Sequence, residues 1–201
     1  MINKLIFIIL FFPALVLAET QDSNLVSILN SIHTMQADFV QIVANDSSNI
    51  QQSSGVIALQ RPGKFRWEVL NPTKQLIIIN NIDIIIYDYD LNQISKRKIS
   101  YKQVSNPALL LSSSVQKLQH DFNIKKLMKN GNGLWFELKP KANDSLFQKV
   151  QLQFIDGELR TMVIIDNLEQ KSTINFFNEK INSPLDSKTF TLVAPKEVDV
   201  I

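Results

Sequence analysis

The 201-residue sequence contains no cysteine, only five glycines and only two histidines. Without cysteine the chain has no thiol nucleophile, no thiolate metal ligand and no lipid-modified cysteine behind a leader segment. The scarce glycines form neither a phosphate-cradling loop nor the Gly-x-Ser-x-Gly elbow of a serine hydrolase. His33 and His120 are far apart in sequence, so no metal site is predicted. These absences argue against an enzyme, against a cofactor and in favour of a binding protein.

Charge of one sign is not in excess either. The chain has 21 basic and 19 acidic side chains, a net charge of +2, and loss of Lys4 with a leader would lower that charge by one. Such a balance gives no reason to expect nucleic acid or an anionic surface as a partner.

Long apolar runs are confined to the N-terminus, where Lys4 precedes an apolar stretch from Leu5 to Leu17 that ends at Ala18. A basic start, a short apolar stretch and small residues before the cleavage point predict a signal peptide at residues 1–18. The alternative, an uncleaved membrane anchor, would need about 20 apolar residues. We therefore expect export and a single soluble domain at residues 19–201.

Alternation of apolar and polar residues dominates the rest of the chain. One helix is predicted after Ser23, with apolar residues at helical spacing as far as Ile32. Strands are predicted at residues 35–42, 56–60, 64–69, 76–79, 84–87, 93–100, 122–128, 134–140, 147–155, 159–166 and 171–178. Turns are expected at Asn80-Asn81 and Asp156-Gly157. Many short strands predict an antiparallel sandwich or barrel.

Two of these strands, 76–79 and 84–87, are apolar on both faces. A strand that is wet on one face alternates instead. We therefore expect apolar material against each face of both strands.

One apolar segment interrupts the strands. Asn106-Pro107 is a typical helix start, followed by Ala108, Leu109, Leu110 and Leu111 and then by serines 112–114. A short helix that is apolar nearly all round must be buried. The segment fits a lid over the inner face of the sheet, and it fits an ordinary buried connector equally well.

Candidate chemistry is sparse. Asp88 and Asp90 would share one face of a strand, as an acid–base pair in a glycosidase would, but strand-end solvation explains them better. The basic run Lys96-Arg97-Lys98 is typical of a solvated face or a guarded sheet edge.

Apolar side chains are the remaining candidates for a binding site. Most large apolar side chains would simply form the core, and this interpretation fits Phe65 and Trp67 as well as a binding role does. The residues expected to line an acyl-chain cavity are Phe39, Phe65, Trp67, Ile77, Ile79, Ile84 and Ile86. A buried methylene contributes about 0.8 kcal/mol, so a chain of about sixteen carbons would gain roughly 12 kcal/mol before costs.

Several motifs in order resemble one family. They are Arg61-Pro62-Gly63-Lys64-Phe65-Arg66-Trp67-Glu68, Tyr87-Asp88, Asn106-Pro107-Ala108-Leu109-Leu110-Leu111, Leu138-Lys139-Pro140-Lys141 and the ending from Phe190 to Ile201. Together, behind a signal peptide, they resemble LolA, the periplasmic outer-membrane lipoprotein carrier.

The resemblance implies an incomplete, half-open antiparallel β-barrel with a lid of short α-helices. It implies a monomeric periplasmic carrier that binds no nucleotide, takes acylated lipoproteins from an ATP-driven inner-membrane release complex and delivers them to an outer-membrane receptor. Arg61 matches the family's lid-locking arginine, and Phe65 matches a phenylalanine tied to release. The chain departs from the family pattern at Asn80, Asn81, Ile85, Tyr89, Glu169 and Glu197.

Two related interpretations compete. A sensor of mislocalised lipoproteins could use the same half-barrel, but such proteins add a second domain. A membrane-anchored receptor of similar fold would need the missing cysteine.

Overall fold

A computed structural model describes residues 23–44, 50–98, 107–127, 131–195 and 197–201. The predicted signal peptide, residues 1–18, and Asn106 lie outside the described residues. Within that part the helices are α1 (Ser23–Ser31), α2 (Pro107–Ser112) and α3 (Val115–Asp121), with a 3₁₀ helix at Ser187–Phe190. The strands are β1 (Thr34–Ala44), β2 (Ile50–Gln60), β3 (Lys64–Asn71), β4 (Gln75–Asn80), β5 (Asp83–Asp88), β6 (Gln93–Lys98), β7 (Phe122–Leu127), β8 (Leu134–Pro140), β9 (Phe147–Ile155), β10 (Glu158–Asp166), β11 (Lys171–Ile181) and β12 (Asp199–Val200).

All twelve strands form one sheet in the order β12-β6-β5-β4-β3-β2-β1-β11-β10-β9-β8-β7. Every neighbouring pair is antiparallel except β12 and β6, which are parallel. The sheet does not close on itself, so β12 and β7 are its two edges. The expectation of a mainly β, half-open barrel with a few short helices is confirmed.

One face of the sheet, the inner face, carries the main core. Alternate residues of nearly every long strand point into it, as the period-two pattern predicts, and all three helices pack on it. The side chains buried there include Leu25, Leu29, Met35, Phe39, Leu59, Phe65, Ile79, Leu110, Leu118, Phe136, Leu152, Phe154, Met162 and Phe176. The helices therefore cover the inner face without extending the sheet.

A second, smaller core lies on the outer face of β4–β6. Leu76, Ile78, Tyr87 and Ile94 are buried there beneath Phe190. Partly buried residues of the C-terminal segment, Leu185, Leu192 and Val198, complete the cover. The prediction that β4 and β5 have apolar side chains against both faces is thus confirmed. The C-terminal segment supplies those on the outer face.

Several boundaries differ from the sequence-based expectation. The turn between β4 and β5 is Asn81-Ile82, because Asn80 still pairs with Asp83. β2 begins at Ile50, six residues earlier than the alternation indicated, because its first half is exposed and polar. Helix α3 and β12 were not predicted.

Two of the departures from the family pattern adopt left-handed backbone. Asn81 has φ 57° and Glu169 has φ 63°. Asparagine tolerates this region, whereas a glutamate there carries a strain of order 1 kcal/mol. Glycine at position 169 would remove that strain.

Candidate functional site

The candidate site is the part of the inner face that lies beneath α2. Helix α2 contacts β2 and β3. Leu110 and Leu111 are 1% and 2% exposed and belong to the main core. The side chains of Pro107, Ala108 and Leu109 lie outside the described part of the structure. The leucines that are described thus bury themselves against the sheet, as a lid helix must.

An aromatic group lies at the centre of this region. The rings of Phe39 and Trp67 stack with centroids 3.9 Å apart, and Phe65 lies 6.1 Å from Trp67. Phe39 is paired across the ladder with Gly55. A Cβ atom at Gly55 would lie 1.9 Å from the carbonyl oxygen of Glu68 and 3.0 Å from the Phe39 ring. The missing side chain at Gly55 therefore makes room for the stacked rings.

Four isoleucines extend the aromatic group across β4 and β5. The ladder places Trp67 beside Ile77, and Ile77 beside Ile86. The row below it joins Phe65, Ile79 and Ile84. Residues of the first row are partly exposed and those of the second row are buried. The structure thus brings the seven residues singled out from the sequence into one continuous apolar patch.

Arg61 connects the sheet that carries this apolar patch to the C-terminal end of helix α2. It lies in the β2–β3 turn, where its backbone N–H donates to the His33 carbonyl oxygen at 2.8 Å. Its Nη1 donates to the Ser113 carbonyl oxygen at 3.2 Å, and the N–H of Gly63 donates to the Ser112 carbonyl oxygen at 2.9 Å. The turn therefore holds two carbonyl groups at the C-terminal end of α2, which are the groups that a helix leaves unpaired.

The Arg61 guanidinium is largely withdrawn from water. Its Nε atom is buried and has no hydrogen-bond partner among the described residues. Burial lowers the pKa of Arg61 to about 10, so the side chain remains charged at neutral pH. A buried charge held by one side-chain hydrogen bond is stable only while its carbonyl partner stays in place.

Helix α3 is the part of the lid that the sequence reasoning missed. Val115 and Leu118 are buried in the main core, and α3 contacts α1 and β7. The signal was Ser114, whose side chain accepts the backbone N–H of Lys117, as an N-cap does. The serine run was thus a helix start as well as a helix end.

The other candidate chemistry has structural explanations. Asp88 Oδ1 accepts the backbone N–H groups of Asp90 and Leu91 at 3.1 Å each, so it caps the β5–β6 turn. Among the described residues no three His, Asp or Glu side chains are grouped as metal ligands would be. Within the same ranges no helix is long and apolar enough to cross a membrane.

Glu179 is a buried titratable residue that the sequence analysis did not single out. It lies in β11, four residues beyond Asn175, which is the last residue of that strand in register with β10, and its side chain is inaccessible to solvent. Burial and the nearby negative charge of Glu158 raise the pKa of Glu179 to about 7. The positive charge of Arg160, whose Nη1 lies 3.6 Å from Glu179 Oε1, acts in the opposite direction. Because charging a buried carboxyl costs free energy, ionisation of Glu179 should destabilise the fold.

Comparison with known proteins gives a consistent result. The family model described as outer membrane lipoprotein carrier protein LolA matches residues 30–193. An outer-membrane lipoprotein carrier protein of Pseudomonas paraeruginosa is 38% identical over 190 residues, which cover 92% of this chain and 91% of the relative. One from Legionella pneumophila is 37% identical over 200 residues, which cover 99% and 98% of the two chains.

A solved structure supports the same fold. The LolA superfamily protein of Nitrosomonas europaea superposes with a TM-score of 0.52 at 12% identity, covering 86% of this chain and 98% of that one. At that identity the likeness concerns the fold alone.

Proposed function

Because the chain belongs to the LolA family of outer-membrane lipoprotein carrier proteins, we propose that it carries lipoproteins across the periplasm by their acyl chains. The acyl chains would occupy the inner-face patch in place of α2. The carrier performs no chemistry on them. Transfer would begin at an ATP-driven release complex of the inner membrane and end at an outer-membrane receptor.

The observation that carries this proposal is the pairing of a large apolar patch with a small apolar cover. Helix α2 has six residues, and its described leucines are buried on the patch. An isolated helix shorter than about 12 residues is unstable in water, so α2 depends on the contacts that cargo would replace. One acyl chain of about sixteen carbons gains roughly 12 kcal/mol on burial, more than a few leucines lose on exposure, at about 1.5–3 kcal/mol each.

Arg61 would bias the exchange in the opposite direction. When the lid opens, the Ser112 and Ser113 carbonyl groups leave the β2–β3 turn, and the buried guanidinium loses its partner. Closure restores that hydrogen bond. We therefore assign to Arg61 the role of favouring the closed, empty form, which promotes release. Phe65 and Trp67, with the four isoleucines, would form the wall that the acyl chains touch.

The first experiment identifies the cargo. The mature protein is purified from periplasm, and the molecules that copurify with it are analysed by mass spectrometry. Bound acylated protein supports a carrier. Free sugar, or no acylated species from cells that overproduce a lipoprotein, would refute the proposal.

The second experiment follows the lid. The chain has no native cysteine, so a cysteine at Leu110 can be labelled selectively with a polarity-sensitive fluorophore. Leu110 is 1% exposed in the closed form, and its probe should move to a wetter environment on addition of a lipoprotein. A probe at Leu168, which is 89% exposed, is the matched control and should not respond. An unchanged Leu110 signal at saturating cargo would contradict a displaced lid.

A further inference from the structure

We propose that the end of the sheet nearest the lid is a docking surface for anionic phospholipid headgroups, formed by basic side chains at both sides of the barrel's opening. This inference rests on the proposed carrier function, since a carrier that is loaded with acyl chains must work next to a bilayer. It concerns how the protein meets the membrane, which is separate from how it holds cargo.

The lid end is defined by the β2–β3 turn, where Arg61 and Gly63 hold α2. Strand directions alternate along the sheet, so β6 and β7 both end at the lid end. Both strands finish in basic residues: Lys96, Arg97 and Lys98 on β6, and Lys125 and Lys126 on β7. Because β7 is one edge and β6 lies beside the other, the two groups stand on opposite sides of the gap in the barrel.

Two of these cations belong to the inner face. Arg97 pairs in register with Ile84, and Lys126 pairs with Phe136. Ile84 and Phe136 both point into the main core. On the inner face of both strands, the apolar side chains are thus followed by one basic side chain at the lid end. An apolar surface next to a cation matches a phospholipid, in which acyl chains lie next to a phosphate.

The basic groups are exposed and not neutralised by close partners. Lys96, Arg97, Lys98 and Lys125 are exposed, and none of the five makes an ion pair within 4 Å among the described residues. Lys98 lies opposite Asp83 in the ladder without such a contact. Glu137, which lies opposite Lys125, is instead within 4 Å of Lys139 and Lys149.

Three acidic residues, Asp83, Asp156 and Glu158, lie at the lid end beside a larger number of basic ones. A further group of acidic residues lies at the other end of the strands. They are Asp88, Asp90, Asp144, Asp166 and Glu169. The near-zero net charge therefore conceals a surplus of basic residues at the lid end, although Lys74 and Lys171 lie at the other end. An anionic bilayer would attract the lid end and turn it towards the membrane.

Vesicle binding tests the proposal directly. Mature protein is mixed with vesicles of phosphatidylcholine alone or with about 30% phosphatidylglycerol, and the bound fraction is measured by flotation at low and at moderate salt. We expect binding to the anionic vesicles only, weakening as salt rises. Lys96→Gln, Lys98→Gln and Lys125→Gln together should weaken binding at least tenfold, because each removes an attraction to the anionic surface.

A matched control changes the same number of exposed lysines elsewhere. Lys74→Gln, Lys139→Gln and Lys171→Gln remove equal charge at the other end of the strands and should weaken binding less than twofold. Loss of binding to the same extent in both triple variants would show attraction by net charge and overturn the proposal. Equal binding of wild type to neutral and anionic vesicles, or to neither, would do so as well.

Orientation gives an independent readout. Asn80 is exposed at the lid end, and Leu168 is exposed at the other end. A fluorophore on a cysteine at Asn80 should be quenched by spin-labelled lipid more strongly than one at Leu168. The reverse order would overturn the proposal. If lipoprotein binding fails while vesicle docking persists, only the carrier function is refuted. If the variant with Lys96→Gln, Lys98→Gln and Lys125→Gln still binds lipoprotein in solution, its loss of vesicle binding concerns docking alone.

Discussion

Replacing Arg61 by leucine should leave the fold and cargo uptake intact but slow the release of cargo. The side chain bonds to the lid rather than to the sheet, through Nη1 and the Ser113 carbonyl oxygen at 3.2 Å. The remaining β2–β3 contacts, including Gly63 N–H to the Ser112 carbonyl, come from backbone and survive the change. Leucine would also offer acyl chains an apolar neighbour in place of a cation.

The size of the effect follows from two opposing quantities. A hydrogen bond from a charged donor contributes about 1.5–3 kcal/mol. Burial of the guanidinium, which lowers the pKa of Arg61 to about 10, offsets part of this gain. We therefore expect the lower end of the range, about 1.5 kcal/mol, which corresponds to roughly a tenfold change in the balance between closed and loaded forms. Lysine at the position should restore release only in part, because it lacks the planar fork of donors.

The assay mixes loaded carrier with purified receptor in detergent-free solution without membranes and follows transfer of a labelled lipoprotein. Arg97→Leu is the control, since Arg97 is exposed on β6 and has no side-chain hydrogen bond to α2 or α3 within the described ranges. Circular dichroism checks that both variants fold. Release of cargo from the Arg61→Leu protein at the wild-type rate would remove Arg61 from the mechanism.

Two further predictions concern stability, and urea unfolding measures both. Glu179 has a folded-state pKa of about 7 against 4.5 for the free side chain, so wild-type stability should fall as pH rises from about 4.5 to about 7 and then level off. We expect a fall of about 2 kcal/mol, less than the shift alone implies, because relaxation and water entry reduce the cost of charging a buried carboxyl. Glu179→Gln should lose this slope, and an identical slope in the variant would assign it to another group. Gly55→Ala should cost about 2–3 kcal/mol because its Cβ would meet the Glu68 carbonyl oxygen at 1.9 Å. Gly157→Ala, which meets nothing within 4 Å but has φ 83°, should cost about 1 kcal/mol, and equal losses at the two glycines would contradict the packing argument.

Much of the sheet was predictable because side-chain alternation is a direct consequence of strand geometry. Strands β8 and β9 were predicted with the bounds that they have, since each alternates over its whole length and ends at a turn. The first half of β2 is exposed and polar, so it shows no alternation of apolar and polar residues. The predicted strand therefore began six residues too far along the chain. Helix α3 buries two side chains, and β12 is two residues long, too little for a periodic signal.

The candidate site divides in the same way. The apolar lining was predictable, because residues such as Phe65, Ile79 and Ile84 stand out as apolar residues within predicted strands. The strand register then places them side by side. The contact between Arg61 and Ser113 joins residues 52 positions apart, and no period in the sequence encodes it. Family resemblance pointed to Arg61, but the geometry comes from the fold. Glu179 escaped notice because its burial depends on where the β10–β11 ladder ends.

The outer core determines which part of the site is free to move. Beneath Phe190, the side chains of Ile78 and Tyr87 fix β4 and β5 from outside, while Ile79 and Ile84 fill the inner face. A wall packed on both faces resists displacement, because interiors are close-packed and transmit strain. Helix α2 has six residues and belongs to no hydrogen-bonded ladder, so we expect its opening to cost less free energy than displacement of a strand. If the chain carries acyl chains as we propose, we expect cargo to displace α2 and to leave the sheet unchanged.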